Sequence, residues 1–253
     1  MQAPNQVEIP IPSAAGTPLF YPLHRTRGPA PSVTLFSKPL TMRYALTDIH
    51  GCAQTLRAAL DTVNYDPAAD ELFFLGDYID RGPDSQGVID TVRQLQAENP
   101  KVVALRGNHE EMLIEYDEDR RYLYDWQPDP EHYPSTLAWL KALPHYHLTP
   151  GYILVHAGLG FGGPNPLDDR HAMLWARYWY GDIDRGWLGK RIIVHGHTPA
   201  IKDRIAAAIE HMPKNQYACI DSACVYDKPG TGHLTVLNLD TGEGVFVRRV
   251  EEV

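Results

Sequence analysis

From Met42 onward, short apolar runs alternate with amphipathic stretches, and this rhythm restricts the chain to an α/β organisation. Residues 43–47 read as a strand, 53–63 as a helix with Leu56, Leu60 and Val63 on one face, and 71–75 as a second strand. Residues 85–97 predict a second helix, with Val88, Val92 and Leu95 at helical spacing and Asp84 or Ser85 as its cap. A third strand is expected over 101–105 and a third helix from His109. A short helix over 135–143 should stop at Pro144. Residues 152–157 and 191–195 read as buried strands. Residues 217–221, 234–239 and 244–250 read as a C-terminal β meander turning at Asp240-Thr241-Gly242. His145 and His147 alternate as on a further strand and are read as structural.

Five polar clusters follow five of these strands: Asp48-Ile49-His50-Gly51, Gly76-Asp77-Tyr78-Ile79-Asp80-Arg81-Gly82, Gly107-Asn108-His109-Glu110, His156-Ala157-Gly158 and His195-Gly196-His197-Thr198. Parallel strands of an open sheet deliver their ends to one side, so ligands on these loops converge on one crevice. The glycines beside each cluster allow sharp turns and close approach. Carboxylate, imidazole and amide oxygen together suit Mn, Fe or Zn better than Ca, which prefers all-oxygen shells.

In this order the clusters resemble the metallophosphoesterase signature, specifically the phosphoprotein phosphatase family with its bacterial and phage members, over about residues 42–239. The resemblance implies a four-layer α/β/β/α sandwich with two mixed sheets. It also implies two divalent metal ions, Mn foremost with Fe or Zn as alternatives. Asp48 and His50 would hold the first, Asp77 would bridge both, and Asn108, His156 and His197 would hold the second. Two metals ~3.5–4 Å apart need a bridging carboxylate, and they lower the pKa of a shared water from ~15.7 towards neutrality, giving a hydroxide that attacks phosphorus directly. Arg81, and Arg177 in Leu174-Trp175-Ala176-Arg177, are candidates for a phosphate clamp, because guanidinium forks match phosphate oxygens. His109 resembles the family's proton donor to the leaving alkoxide, with Asp80 orienting it.

The expected activity is phosphomonoester hydrolysis, with phosphoserine, phosphothreonine or phosphotyrosine proteins or a small phosphoester as substrate. The rival is hydrolysis of a dinucleoside tetraphosphate, which similar sequences perform. As the resemblance reads, those hydrolases tend to lack an aspartate at the Asp80 position and to carry Asp where this chain has Glu110. A third reading is a catalytically silent phospho-binding scaffold, against which stands the presence of Asp80, Arg81 and His109 together. His195 is read as structural. Glu110 is read equally as a site contact and as a first-turn helix carboxylate. Asp221-Ser222-Ala223 resembles the family's late Asp-Thr-Gly turn with two substitutions.

Composition narrows the partners. A formal net charge of −9 disfavours broad contact with nucleic-acid phosphates. No apolar run reaches membrane-span length or makes a signal peptide, and a cytoplasmic protein is expected. Cys52, Cys219 and Cys224 are too few for a disulfide framework. They read as buried thiols, Cys219 and Cys224 forming at most a fringe redox pair. Cys52 and Arg57 stand one residue too close for a cysteine-phosphatase loop. Two parts are expected: a proline-rich extension over 1–41 and a catalytic domain over 42–253. The acidic run 115–119 and the aromatic stretch through Tyr122, Tyr124, Trp126 and Tyr133 suggest either a packed surface loop or a substrate-selecting lid.

Overall fold

In the computed structural model the described residues are 41–119, 126 and 128–252, so the proline-rich extension, Tyr122 and Tyr124 lie outside them. The first half runs β1 (Arg43–Leu46), α1 (Ala53–Thr62), β2 (Glu71–Phe74), α2 (Ser85–Glu98), β3 (Val102–Ala104), α3 (Asn108–Asp119) and α4 (Tyr133–Ala142). The second half runs β4 (Tyr146–Thr149), β5 (Tyr152–Val155), α5 (Arg170–Trp175), α6 (Arg185–Leu188), β6 (Ile192–His195), α7 (Lys202–Asn215), β7 (Tyr217–Cys219), β8 (His233–Asn238) and β9 (Gly244–Arg248).

The strands form two mixed sheets. One has the order β3-β2-β1-β8-β9, with β1, β2 and β3 parallel and β8 and β9 antiparallel. The other has the order β4-β5-β6-β7, in which β5, β6 and β7 are parallel. Strand alternation explains the layering. Tyr44 and Leu46 pack with Leu56 of α1 and Val88 and Val92 of α2, whereas Ala45 between them packs with Leu154 and Val194 of the other sheet. On the far side, Ile153, Val155 and Ile193 meet Met173, Trp179 and Leu188. The central strands β1, β2, β5 and β6 are therefore buried on both faces, which is why they read as short, nearly continuous apolar runs. No helix among the described residues is long and apolar enough to cross a membrane.

Three features depart from the sequence reading. The C-terminus is not one meander: β7 pairs parallel with β6 in the second sheet, while β8 and β9 complete the first. The cause is α7, an unforeseen crossover helix whose Ile205, Ile209 and Met212 fill the space between the sheets. His147 lies on β4, but His145 precedes it. Cys219 and Cys224 do not pair: all three cysteines are free thiols, Cys224 is hydrogen-bonded to Cys52, and the Cys219 Sγ lies 3.4 Å from the Thr198 carbonyl oxygen. Asp84, by contrast, caps α2 as expected, accepting from the Gly87 N–H at 2.8 Å.

Candidate metal centre and active site

The polar clusters follow β1, β2, β3, β5 and β6, and the loops are locked to one another by backbone bonds. The N–H groups of Asp48, His50 and Gly51 donate to the carbonyls of Gly76, Asp77 and Tyr78 at 2.8–3.1 Å. These loops are conformationally unusual. Ten non-glycine residues among those described have positive φ, and six of them are Asp48, His50, Asp77, Asp80, Arg81 and His197. Left-handed backbone is costly outside glycine and is least so for Asp, Asn and His, the types found at five of the six. Gly196 and Gly107 are required for a different reason: a methyl group on either would collide with the carboxylate of Asp48 or of Asp77.

One helical turn supplies three functions. Consecutive residues of an α-helix point about 100° apart. At the start of α3, Asn108 therefore turns its Oδ1 to His156 Nε2 (3.0 Å) and His197 Nδ1 (2.8 Å). His109 turns to Asp80, with Nδ1 2.6 Å from Oδ2. Glu110 turns back into the protein. Its Oε2 accepts from the N–H groups of Asp77 (2.9 Å) and Gly107 (2.8 Å), and its Oε1 from Tyr78 (2.8 Å). Glu110 is fully buried and clamps the second and third clusters together, a role that its first-turn position did not reveal.

Asp77 stands at the centre. Its Oδ2 lies 3.4 Å from His50 Nε2 and its Oδ1 3.5 Å from His156 Nε2, while Oδ1 accepts the His109 N–H at 3.0 Å. Ligand-capable atoms of Asp77, His156 and His197 lie within 4.8 Å of one another, and so do those of His50, Asp77 and His109. The sequence reading placed Asp48 beside His50 in the first set. Asp48 Oδ2 accepts from the Thr47 hydroxyl (2.6 Å) and the His197 N–H (2.9 Å).

The electrostatics fit a divalent pair. Burial pushes His50 and His197 down to about 3, with Arg81 adding to the effect at His50, so both imidazoles are neutral with lone pairs available. The Ile79 carbonyl, 2.8 Å from His50 Nδ1, sets the His50 tautomer and leaves its Nε2 turned inward as a lone pair, whereas His156 has an oxygen at each nitrogen, the Leu75 carbonyl 2.9 Å from Nδ1 and Asn108 Oδ1 3.0 Å from Nε2. His197 Nε2 is buried with no hydrogen-bond partner. Burial would raise the Asp77 carboxyl, but the imidazoles of His156, His109 and His50 hold it well below the usual range. Burial, with the Asp77 charge adding, raises Asp48, and burial followed by the Asp48 charge raises Asp221. Buried carboxylates at Asp48, Asp77, Glu110 and Asp221, an orphaned imidazole nitrogen and a mixed O/N donor set call for cationic charge at this point.

A cavity of about 480 Å³ opens over this centre, lined by Asp77, Arg81, Asn108, His109, Met112, Trp175, Arg177, His197, Pro199 and Tyr226. Both arginines expected as a clamp thus line the same space. Arg81 Nη1 lies 2.6 Å from His50 Nε2 and Nη2 2.8 Å from His109 Nε2. His195 is turned away into an aromatic cluster, its Nε2 3.2 Å from the Tyr180 hydroxyl and its ring against Trp179. The backbone N–H of Trp126 donates to Asp80 Oδ1 at 3.2 Å, beside the His109–Asp80 contact. Tyr226 and Met112 carry no motif, Trp175 entered the sequence reading only as part of the Arg177 motif, and none of the three was given a place in the site.

A family model described as calcineurin-like phosphoesterase matches residues 44–225. The chain is 34% identical over 122 residues to the symmetrical bis(5'-nucleosyl)-tetraphosphatase of Aromatoleum aromaticum, covering 46% of this chain and 44% of that protein. The corresponding protein of Cellvibrio japonicus is 35% identical over 126 residues, with 46% and 44% covered. The matches thus span less than half the length of these curated relatives. Among solved structures, a serine/threonine phosphatase from Saccharomyces cerevisiae superposes with a TM-score of 0.64 at 16% identity, covering 86% of this chain and 83% of that one. A putative diadenosine tetraphosphatase superposes with a TM-score of 0.59 at 22% identity, covering 82% and 93%.

Proposed function

We infer that this chain, which belongs to the calcineurin-like phosphoesterase family, is a metal-dependent phosphomonoesterase that releases a poor alkoxide leaving group, as from phosphoserine or phosphothreonine. The observation that carries this reading is the 2.6 Å contact between His109 Nδ1 and Asp80 Oδ2 beside the metal centre. Asp48, His50 and Asp77 would hold one metal, and Asp77, Asn108, His156 and His197 the other. Bound divalent ions, Mn foremost, would supply charge to neutralise the phosphoryl oxygens and a water acidic enough to react near neutral pH.

The chain's own residues would do the rest. Burial lowers the affinity of His109 for a proton, yet the Asp80 hydrogen bond and the Asp77 charge outweigh it and leave the pKa raised. Asp80 fixes the proton on Nδ1, so Nε2 is the atom that faces the leaving group. Nε2 here accepts from Arg81, an arrangement incompatible with a proton on that nitrogen. Arg81 would therefore turn to the substrate phosphate, for which its fork is the better match, and free Nε2 to carry the proton. Phosphate binding and general-acid readiness would be linked through this one guanidinium, with Arg177 closing the clamp from the cavity rim.

The test is His109→Asn. General-acid help is worth about a hundred- to ten-thousand-fold, roughly 3–5 kcal/mol of barrier, and only when the leaving group needs a proton. Turnover of a phosphoserine peptide should fall by that factor, and turnover of nitrophenyl phosphate far less. Equal losses on both substrates would remove His109 from the role.

A second reading, hydrolysis of dinucleoside tetraphosphates, is favoured by the names of the curated relatives from Aromatoleum aromaticum and Cellvibrio japonicus. Side-by-side assay of Mn-loaded protein on phosphopeptide, nitrophenyl phosphate and diadenosine tetraphosphate separates the two.

A further inference from the structure

The cavity over the metal centre has a neighbour. Pro199 and Tyr226 line it, and the same two residues line a second cavity of about 500 Å³ whose further walls include Ala200, Ile201, Arg204 and Lys228. Tyr226 is the partition. The Arg81 guanidinium lies 5.8 Å from the centre of its ring and the Lys228 ammonium 5.9 Å. One cation belongs to the catalytic cavity and the other to its neighbour, so positive charge continues across the ring from one space to the next.

The second cavity differs from the rest of the molecule in charge. No carboxylate is among its lining residues, although the chain as a whole carries a formal charge of −9. Arg204, in the first turn of α7 next to Asp203, is a second exposed cation on this cavity, and with Lys228 it suits an anion that binds there. Apart from Thr231, the remaining walls are apolar or aromatic, which suits a flat ring.

We propose that this second cavity is a nucleotide subsite. It takes the nucleoside and non-reacting phosphates of a substrate whose scissile phosphorus lies in the catalytic cavity, the base against Tyr226 and Ile201 and the phosphates on Lys228 and Arg204. The proposal rests on the phosphoesterase reading of the catalytic cavity and gives its nucleotide branch a physical location. A phosphopeptide has no ring-plus-phosphate unit to fill the same walls.

The experiment has a binding arm and a kinetic arm, both on the full chain. ADP is titrated calorimetrically into protein in EDTA, so that metal contributes nothing, with pyrophosphate as the comparison. ADP should bind with one site and more tightly than pyrophosphate, and Lys228→Ala and Arg204→Ala should each weaken it about tenfold, the worth of one charge-assisted phosphate contact. With Mn, kcat/KM on diadenosine tetraphosphate should fall in parallel, while nitrophenyl phosphate, too small to cross Tyr226, stays within about twofold. Absence of ADP binding, pyrophosphate binding as tight as ADP, or variants that bind ADP like the parent would each overturn the subsite. Failure of the Mn-loaded parent on nitrophenyl phosphate, with ADP binding still sensitive to both substitutions, would sink the phosphoesterase reading and leave the subsite standing.

Discussion

The helix that follows the first metal-ligand cluster is capped from the opposite end of the chain. The N-cap residue of α1, Cys52, makes no side-chain capping bond. Glu251 takes its place: Oε1 accepts the N–H groups of Gln54 (2.5 Å) and Thr55 (3.0 Å), and Oε2 accepts the Thr55 hydroxyl. The Val250 N–H in turn donates to that hydroxyl at 2.8 Å. Glu251 is buried, so Glu251→Ala leaves first-turn donors without a partner and removes an anion from a helix N-terminus. A cap is worth ~1 kcal/mol, the dipole contributes ~0.3–1, and an orphaned buried donor costs ~1–3. These terms overlap, and about 2–4 kcal/mol is the expected net loss. At roughly 2–4 °C per kcal/mol for a domain of this size, the midpoint should fall by about 5–15 °C in a calorimetric melt. Glu251→Gln, which keeps one acceptor, should fall between parent and Ala. A Glu251→Ala midpoint within about 1 °C of the parent would refute the latch.

Two further predictions concern the chemistry. Asp80→Asn withdraws a contact that raises the His109 pKa. Because the acid acts only while protonated, the alkaline limb of kcat/KM on a phosphoserine peptide should move to lower pH, and an unmoved limb would separate Asp80 from His109. Gly196→Ala drives a methyl into the Asp48 carboxylate, so Mn affinity measured by calorimetry should drop by about tenfold or more, and an unchanged affinity would show that Asp48 does not help hold the metal.

How much of this was legible in the sequence follows a physical boundary. The parallel strands β1, β2, β3, β5 and β6 and their polar ends were legible, because alternation and adjacent glycines are local. The assembly of Asp77, Asn108, His156 and His197 at one point followed from the rule that parallel strands end on one side. The sheet membership of β7 was not legible. Tyr217–Cys219 looks like any short strand, and its partner is set by the α7 crossover. The Ile205, Ile209 and Met212 spacing of α7 was visible in principle but diluted by small alanines and Pro213. Glu110 illustrates the same limit: its spacing says first-turn carboxylate, yet what it accepts from is a loop 32 and 33 residues away. Tyr226 belongs to no pattern at all, and only the folded chain sets it between two cavities.

The strained loops and the buried carboxylates have one consequence in common. Six non-glycine residues of the site hold left-handed backbone. At about 1 kcal/mol or more each, they approach the ~5–15 kcal/mol net stability of a whole domain. Asp48, Asp77, Glu110 and Asp221 crowd four carboxyl groups into a space where His50 and His197 are neutral, so that burial and mutual repulsion oppose the ionised forms of Asp48, Glu110 and Asp221. The interlocking backbone bonds and the Glu110 clamp hold this arrangement, but they do not neutralise it. Divalent ions would, and since the unfolded chain has no such site, their binding free energy should appear as stability. Each metal at a hundred times its dissociation constant adds ~2.7 kcal/mol, so a pair adds ~5 and should raise the melting midpoint by roughly 10–20 °C over protein in EDTA. Asp77→Asn, which removes the one carboxylate charge shared between the two positions, should lose most of that increment. Coincident melts with and without Mn, or an Asp77→Asn protein that gains as much from Mn as the parent, would mean that these carboxylates are balanced by something other than metal.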